Sequence, residues 1–382
     1  MKQQTILLFA NSSWNLYHFR LGLIEAFLKE GFRVVCVAGD TTYEEALLQK
    51  GVKLYTLPLE SKGKNPLKEL HLLYGLYKLY THLQPNIVLH FTIKPNIYGT
   101  FIASLLQIPS IVNISGLGSA FLSSRLLAWW VGKLYGVALK GASRLFFQNA
   151  EDRDIFIAHQ LVSPQRAFLI AGSGVDTTFF SPRPCNHPSK KVRFLFIGRL
   201  LKDKGVLEYY EVAKALKGVA EFAILGGLYE GNPSAISQEV LALWQEEGVV
   251  DYLGECNDIR PIVAQYDVVV LPSYREGLSR VLLESASMEK PLVTTNVAGC
   301  KEVVKEGVNG FLCEAKQSDS LLEAIEKMRK LSPKEREAMG KRGRERVVAN
   351  YQESRVIDAY LSHIHTLLFN EAKSNRKGRS RG

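Results

Sequence analysis

Short apolar runs alternate with longer amphipathic stretches along the chain. Runs rich in Val, Ile, Leu and Phe between polar loops indicate parallel strands that are buried on both faces. In the first half the pattern predicts strands at Thr5–Ala10, Arg33–Ala38, Lys53–Thr56, Ile87–Phe91 and Ile111–Asn113. A polar loop is predicted at Asn11–Arg20, with helices up to Leu28 and at Leu67–Leu83. This alternation indicates a doubly wound α/β domain, whose ligands bind beyond the carboxyl ends of the strands.

The same alternation starts again after a turn-rich, polar stretch. Further strands are predicted at Arg193–Ile197, Glu221–Leu225, Val250–Leu253, Val268–Leu271 and Leu292–Thr294. We therefore expect an N-terminal domain at residues 1–182, a linker at 183–191 and a C-terminal domain at 192–352. An amphipathic helix at 353–370 is expected to pack back on the first domain, and a basic, disordered tail is expected at 371–382.

Length and composition narrow the class of protein. A chain of 382 residues with 46% apolar and 23% charged residues is expected to form two globular domains. No apolar run reaches the roughly 20 residues that cross a bilayer, and no signal peptide is predicted, so we expect a cytoplasmic protein. The cysteines are odd in number and scattered, so neither disulfides nor a metal site is expected: Cys36, Cys185, Cys256, Cys300 and Cys313.

The net charge of +10 is concentrated in one part of the sequence. No carboxylate occurs between Glu69 and Glu151, whereas six lysines and arginines do. Within this interval, residues 121–147 combine basic and aromatic side chains. The segment fits either a buried helix of the first domain or a helix that lies in an anionic membrane interface. An anionic membrane surface is therefore a candidate partner, and no nucleic-acid partner is expected.

A stretch at residues 271–284 combines a strand end, a glycine-containing turn and a helix start. Glu276 lies in the turn, and Glu284 follows about two helical turns later, so both can face one crevice. The backbone N–H groups of Gly277, Leu278 and Ser279 are expected to be free donors for an anion or for sugar hydroxyls. Glu284 alone fits either a solvated helix flank or a carboxylate that binds ribose hydroxyls.

Two further groups of basic residues follow strand ends. Arg199 and Lys204 lie between two glycines after the first strand of the second domain, where they can bind a diphosphate or remain solvated surface cations. His18 fits a structural hydrogen bond or a general base, and Arg20 is a candidate phosphate contact. No G-x-G-x-x-G follows the first strand, which argues against a nicotinamide dehydrogenase.

Three runs in the second half match a known pattern: residues 271–284, residues 290–302 and residues 306–312. With Gly198, Arg199, Lys204 and residues 174–182, they strongly resemble the donor-binding half of glycosyltransferase family 4. The resemblance spans nearly the whole chain. It implies a retaining enzyme of the GT-B fold, in which two Rossmann-like doubly wound domains face each other across a cleft.

The resemblance also implies roles for individual residues. Glu276, with the backbone of Gly277–Ser279, would hold the donor sugar, and Glu284 would hold the nucleotide ribose. Arg199 and Lys204 would stabilise the departing diphosphate, so neither a metal nor another cofactor is required. Many members carry a histidine at the position of Ile93, so a catalytic histidine is doubtful in this chain. The neighbouring Lys94 is a further candidate, with His18 and Arg20, for contacts to the acceptor phosphates.

The loop at residues 92–98 is similar to that of bacterial transferases that build glycans on undecaprenyl diphosphate, including an N-acetylgalactosaminyltransferase of an N-glycan pathway. The leading hypothesis is transfer of a hexose or N-acetylhexosamine, with N-acetylgalactosamine as the leading candidate, from a UDP-sugar to such an acceptor. The enzyme would be peripheral on the inner face of the cytoplasmic membrane. The alternatives are a UDP-sugar epimerase and a non-catalytic, membrane-docked partner of glycan assembly.

Overall fold

The computed structural model describes residues 3–59, 65–116, 136, 138–184, 190–229 and 231–379. The chain divides into two compact units. Unit 1 combines residues 1–173 with residues 355–382, and unit 2 comprises residues 174–354. Each unit contains one parallel β-sheet.

Unit 1 has a seven-stranded sheet in the order β3-β2-β1-β4-β5-β6-β7. Its strands are β1 Thr5–Phe9, β2 Arg33–Ala38, β3 Lys53–Thr56, β4 Ile87–Phe91, β5 Ser110–Ile114, β6 Arg144–Phe147 and β7 Ala167–Leu169. Its helices before unit 2 are α1 Ser13–Lys29, α2 Glu44–Gln49, α3 Pro66–Leu83, α4 Thr100–Leu105 and α5 Ala150–Ala158; a π-helical turn spans Pro95–Gly99 and a 3₁₀ turn spans Pro164–Arg166. The strand order reverses between β1 and β4, so ligands are expected at the carboxyl ends of these two strands.

The predicted loop at Asn11–Arg20 is wrong, because α1 begins at Ser13. Ser12 caps the helix by accepting a hydrogen bond of 3.3 Å from the Asn15 amide. Leu16 is buried on the helix face that continues through Ile24 and Phe27. Helical burial at this spacing outweighs the polar composition of the first turn.

Unit 2 has a six-stranded sheet in the order β10-β9-β8-β11-β12-β13. Its strands are β8 Arg193–Ile197, β9 Glu221–Leu225, β10 Asp251–Tyr252, β11 Val268–Leu271, β12 Leu292–Thr295 and β13 Gly310–Cys313. Its helices are α6 Val206–Ala215, α7 Gln238–Glu246, α8 Arg260–Ala264, α9 Arg280–Ser287, α10 Ser318–Lys330 and α11 Pro333–Asn350, and a 3₁₀ turn spans Lys202–Lys204. The sequence pattern did not predict β6, β7 and β13, which are three or four residues long.

The last helix, α12 Glu353–Arg379, packs on unit 1. It buries a stripe of side chains in the core that contains Ile111 and Phe146; the stripe consists of Val356, Tyr360, Ile364 and Leu368. The backbone of residues 371–379 continues this helix, so the expected disordered tail is wrong for these residues. Glu371, Ala372 and Lys373 are strong helix formers, which favours that continuation.

The division between the units lies at Ser173 and Gly174, earlier than the boundary expected at residue 182. Val175 and Phe180 are buried in the core of unit 2, which draws residues 174–182 into that unit. Part of the expected linker, residues 185–189, lies outside the described residues, as does most of the basic and aromatic segment at 121–147.

The described part of the chain contains no helix that is long and apolar enough to cross a membrane. Within the same part of the chain, all four cysteines are free: Cys36, Cys256, Cys300 and Cys313. Cys185 lies outside the described residues.

Candidate active site

Two loops meet at the carboxyl edge of the sheet in unit 2. One follows β8 and carries Lys204, and the other follows β11 and carries Glu276. Strands β8 and β11 are neighbours, so their carboxyl ends emerge side by side. The loops are joined because the Tyr274 amide donates to the Asp203 carbonyl oxygen at 2.9 Å, and the Ser273 hydroxyl donates to the same oxygen at 3.2 Å.

Glycine is required where the first loop turns into α6. Gly205 has a φ of +72°, and a Cβ atom there would lie 2.1 Å from the carbonyl oxygen of Pro272. A side chain would therefore push apart the two loops that carry Lys204 and Glu276.

Lys204 and Glu276 form an ion pair between the two loops. Their side chains are only 20% and 15% exposed, respectively. Partial burial strengthens the attraction relative to a surface pair. The Lys204 ammonium has three N–H groups, so it can bind Glu276 and still donate to a second anion. The pair thus fixes a cation and a carboxylate at one end of the sheet.

A third loop, after β12, supports the turn that carries Glu276. The Glu276 amide donates to the Ala298 carbonyl oxygen at 3.0 Å, and the Ser279 amide donates to that of Gly299 at 2.8 Å. Gly299 has a φ of +80°, and a Cβ there would lie 2.4 Å from the Glu276 backbone. The expectation that the Ser279 N–H is a free donor is therefore wrong, since the close approach of Gly299 occupies it.

Glu284 lies on α9, and it is not a solvated flank, because the residue is only 8% exposed. Arg280, one turn earlier, places its Nε 2.5 Å from the Glu284 carboxylate. Burial raises the pKa of Glu284, and the charge and hydrogen bond of Arg280 oppose that rise. The Ser279 hydroxyl caps the helix by accepting from the Leu282 amide at 3.4 Å. Arg280 thus holds a buried carboxylate in position.

Arg199 follows β8 but is exposed. Its guanidinium carbon lies 4.9 Å from the centroid of the Tyr229 ring, a cation–π contact. The cation therefore remains at the surface of unit 2, on the same strand end as the loop of Lys204.

The sequence pattern missed a second polar cluster beside the Glu276 loop. The Tyr274 hydroxyl donates to the Glu208 carboxylate at 2.7 Å, and the Lys316 ammonium lies 5.0 Å from the Tyr274 ring centroid. Burial and the neighbouring Glu208 raise the pKa of Tyr274. In the sequence, only the position of Tyr274 between Ser273 and Glu276 could have indicated this cluster, because Glu208 and Lys316 are distant from Tyr274 along the chain.

The candidates of unit 1 lie in packed surroundings. His18 is on α1 and shares a 2.9 Å hydrogen bond with the Tyr43 hydroxyl. Arg20 is only 6% exposed, and its guanidinium carbon lies 4.3 Å from the Phe91 ring centroid. Lys94 forms an ion pair with Glu69 of α3. Arg20, a candidate phosphate contact, thus packs inside unit 1.

The histidine nearest to Ile93 is an interior residue. His90 is fully buried, with its ring nitrogens 3.0 Å from the Tyr80 hydroxyl and 2.9 Å from the Thr100 hydroxyl. Burial lowers the pKa of His90 to about 3, so its imidazole is neutral. Ile93 itself is 38% exposed and carries no titratable group. Among the described residues, no cluster of three or more His, Cys, Asp or Glu side chains is arranged to hold a metal ion.

Two sequence families match the two halves of the chain. The family described as "Glycosyl transferases group 1" matches residues 179–346, and "Glycosyl transferase 4-like" matches residues 5–149. The chain belongs to these glycosyltransferases. The matched residues include the loops of Lys204 and Glu276 in unit 2 and the strands β1 and β4 of unit 1, between which the strand order reverses.

Characterised relatives resemble this glycosyltransferase over most of their length. An N,N'-diacetylbacillosaminyl-diphospho-undecaprenol α-1,3-N-acetylgalactosaminyltransferase of Campylobacter jejuni is 28% identical over 81% of this chain and 85% of its own. A UDP-Gal:α-D-GlcNAc-diphosphoundecaprenol α-1,3-galactosyltransferase of Escherichia coli is 28% identical over 81% of this chain and 83% of its own.

Solved structures of glycosyltransferases share the fold. HepE of Anabaena, in complex with UDP and glucose, superposes with a TM-score of 0.77 over 95% of this chain and 100% of its own, at 18% identity. A glycosyltransferase of Rickettsia africae gives a TM-score of 0.76 over 96% and 99%, also at 18% identity. With its two parallel-sheet α/β units, this enzyme has the GT-B fold that the sequence indicated.

Proposed function

We propose that this glycosyltransferase moves a hexose or N-acetylhexosamine, with N-acetylgalactosamine as the leading candidate, from a UDP-sugar to a saccharide linked to undecaprenyl diphosphate. The two relatives above are named for acceptors of this chemical class and for N-acetylgalactosamine or galactose transfer. Both match four-fifths of the chain, so the likeness includes both units.

The observation that carries the proposal is the paired Lys204 and Glu276 at the carboxyl edge of unit 2. A nucleotide-sugar combines a diphosphate, which needs cations, with sugar hydroxyls, which a carboxylate binds well. Lys204 supplies the first, together with Arg199, and Glu276 supplies the second. The buried Glu284 is the group we assign to the ribose hydroxyls.

In the proposed reaction the bond between the sugar C1 and the UDP oxygen breaks, and the electron pair leaves with UDP. The acceptor hydroxyl oxygen bonds to C1, and its proton passes to the departing phosphate. Lys204 and Arg199 stabilise the negative charge that grows on the diphosphate. We assign no covalent nucleophile and no metal, and we propose that the anomeric configuration is retained.

A transfer assay tests the proposal. The protein is incubated with UDP-N-acetylgalactosamine and N-acetylglucosamine linked through diphosphate to a farnesyl chain, and the lipid product is analysed by mass spectrometry. Glu276→Gln should lower the rate by about 10²-fold or more, because the neutral amide loses the ion pair and the charged hydroxyl acceptor. Glu323→Gln, at an exposed position of the same unit, is the matched control. Full activity of Glu276→Gln would refute the assigned role.

The same mixture without acceptor separates the alternatives. A UDP-sugar epimerase would change the sugar signals of UDP-sugar in the NMR spectrum when no acceptor is present. A non-catalytic partner would leave both mixtures unchanged. Either outcome would contradict the proposed transfer.

We also propose that the enzyme works peripherally at the anionic, cytoplasmic face of a membrane. Helix α3 supports this with four exposed side chains within an arc of about 80°, at 3.6 residues per turn: Leu67 (75%), Leu70 (63%), Tyr74 (56%) and Tyr77 (40%). Lys78 lies 4.5 Å from the Tyr74 ring centroid, and the one carboxylate of the helix, Glu69, is paired with Lys94. An apolar, aromatic and cationic face fits an anionic lipid surface.

Co-sedimentation with phosphatidylglycerol vesicles checks the membrane contact. Leu70→Asn with Tyr74→Ser should weaken binding about tenfold, because both side chains leave the interface. Leu243→Asn is the control, at a leucine of α7 that is 51% exposed. Equal binding by the double variant and the wild type would refute this surface.

A further inference from the structure

An aromatic cluster lies where β1 and β2 end in unit 1, and it includes His18. It joins Trp14, Tyr17 and His18 of α1 to Tyr43, which precedes α2. The ring centroids are 4.9 Å apart for Trp14 and His18, 5.1 Å for His18 and Tyr43, and 4.9 Å for Tyr17 and Tyr43. Trp14 also contacts Phe19, with ring centroids 4.9 Å apart, and it is 45% exposed, so part of the indole faces solvent.

The position of the cluster is that of a ligand site. Strand β1 pairs with β4 on one side and with β2 on the other, and the strand order reverses between β1 and β4. In doubly wound sheets, the loops at the carboxyl side of this reversal form the binding crevice. Trp14 is the second residue of the helix that follows β1, one of the two strands at the reversal, and the cluster extends from there to Tyr43 after β2.

A hydrogen-bond network fixes the backbone beneath the rings. Asp40, after β2, accepts from the Ser13 amide and from the Thr42 amide, each at 3.1 Å. The Ser13 hydroxyl donates to the Asp40 carboxylate and accepts from the Tyr43 amide at 3.1 Å. The turn of Tyr43 and the first turn of α1 are therefore held together by hydrogen bonds. A ligand that binds the rings does not have to lose free energy in ordering these two turns.

The chemistry of the cluster suits a sugar ring better than a phosphate. The indole has a flat apolar face with negative quadrupole density, which attracts the polarised C–H groups on one face of a pyranose. The Tyr43 hydroxyl, hydrogen-bonded to His18 at 2.9 Å, keeps acceptor capacity for a sugar hydroxyl. Residues 11–19 contain no lysine or arginine, and Arg20 packs on Phe91.

We propose that Trp14, with the hydrogen-bonded His18 and Tyr43, is a stacking platform for a pyranose ring of the acceptor saccharide. The inference rests on the proposed transfer to a lipid-linked saccharide, and it adds the part of unit 1 that recognises the sugar. Trp14 contributes the stacking surface, and the Tyr43 hydroxyl selects the orientation of the ring.

The test measures binding of the farnesyl-diphosphate-linked N-acetylglucosamine by saturation-transfer NMR, and its KM in the transfer assay. Trp14→Ala should weaken binding and raise the acceptor KM about tenfold, whereas Trp14→Phe should stay within about threefold of the wild type. Tyr43→Phe should raise the acceptor KM about threefold, for the loss of one hydrogen bond. UDP affinity, measured by calorimetry, should not change in these variants.

Phe101→Ala is the matched control, since Phe101 is 48% exposed on α4 of the same unit. Trp14→Ala within twofold of the wild type, an equal loss in Phe101→Ala, or no binding of the probe by the wild type would each overturn the platform. Binding that depends on Trp14 without any transfer would leave the platform standing and refute the proposed reaction. Transfer that does not depend on Trp14 would refute the platform and leave the proposed reaction standing.

Discussion

The carboxyl edges of the two sheets are built from different chemistry on the same α/β scaffold. In unit 2 the edge carries charges that are partly buried and held in pairs, Lys204 with Glu276 and Arg280 with Glu284. In unit 1 the end of β1 carries aromatic rings, and the first arginine or lysine after that strand, Arg20, packs on Phe91. The paired cation of unit 1, Lys94 with Glu69, follows β4 instead.

Under the proposed function, one architecture serves two kinds of substrate. A sheet edge that holds a diphosphate can keep partly buried charges in pairs, because the attraction within each pair offsets part of the cost of desolvation. An edge that must hold a neutral sugar is better served by flat apolar surface and a few neutral hydrogen-bonding groups. Both sites therefore lie at the carboxyl edge of a parallel sheet, but their side chains differ in chemistry.

The strongest test of this comparison replaces one cation in each unit by methionine. Lys204→Met should lower kcat/KM about 10²–10³-fold, because a charge at the departing diphosphate is lost, and it should also lower stability, because Glu276 is left without its partner. Arg20→Met should instead lower the free energy of unfolding by about 1–3 kcal/mol, because a packed guanidinium is lost, while the folded protein keeps its rate. Steady-state kinetics and urea unfolding measure the two effects. A loss of rate in folded Arg20→Met as large as that in Lys204→Met would contradict the contrast drawn between the two units.

A second test compares two glycines with positive φ. Gly31→Ala, at a φ of +84° with open space around it, should cost about 1–2 kcal/mol for the left-handed backbone alone. Gly205→Ala should cost more and should also reduce activity, because the new Cβ meets the Pro272 carbonyl oxygen and separates the Lys204 and Glu276 loops. Urea unfolding and the transfer assay provide the two readouts. Equal costs at the two glycines would show that the loops are not closely packed.

The smallest expected effects are the pH dependences of stability that His90 and Glu284 contribute, which have opposite signs. His90 has a pKa of about 3 when folded, against 6.5 ordinarily, so the unfolded chain binds a proton first as the pH falls below 6.5. Stability should therefore decline on the acid side, and His90→Gln should flatten that decline by at most about 1.4 kcal/mol per pH unit. Urea unfolding between pH 7 and pH 5 measures the slope.

Glu284 should behave in the reverse sense. Its folded pKa is raised by burial, so the folded protein keeps a proton that the unfolded chain has already released above pH 4.5. Stability linked to this group is present below that pH and declines as the pH rises through the folded pKa. Glu284→Gln should remove the decline, and Arg280→Ala should move it to higher pH. The same slope in wild type and Glu284→Gln would contradict the assignment.

The charged edge could be predicted from the sequence because its information is local. The strands β8 and β11 are apolar runs, and the loops that carry Lys204 and Glu276 follow them directly. Parallel strands bring such loops to one edge, so no long-range contact needed to be known.

The rest depended on contacts between distant residues. The burial of Arg20 requires Phe91, the ring of His18 meets Tyr43, and the occupied amide of Ser279 requires Gly299. The first turn of α1 is polar and aromatic, so its composition resembled a loop. The boundary at Ser173 was missed because Val175 and Phe180 enter the core of unit 2 from a turn-rich segment.

The return of α12 to unit 1 affects the order in which the protein can be completed during synthesis. Residues 174–354 form one uninterrupted stretch, whereas unit 1 waits for Tyr360, whose ring lies 5.0 Å from that of Phe146 and whose hydroxyl bonds to Asn113. A nascent chain that stops before α12 therefore contains every residue of the core of unit 2 but lacks the α12 side chains that complete the core of unit 1. The first half to leave the ribosome is the last to be finished.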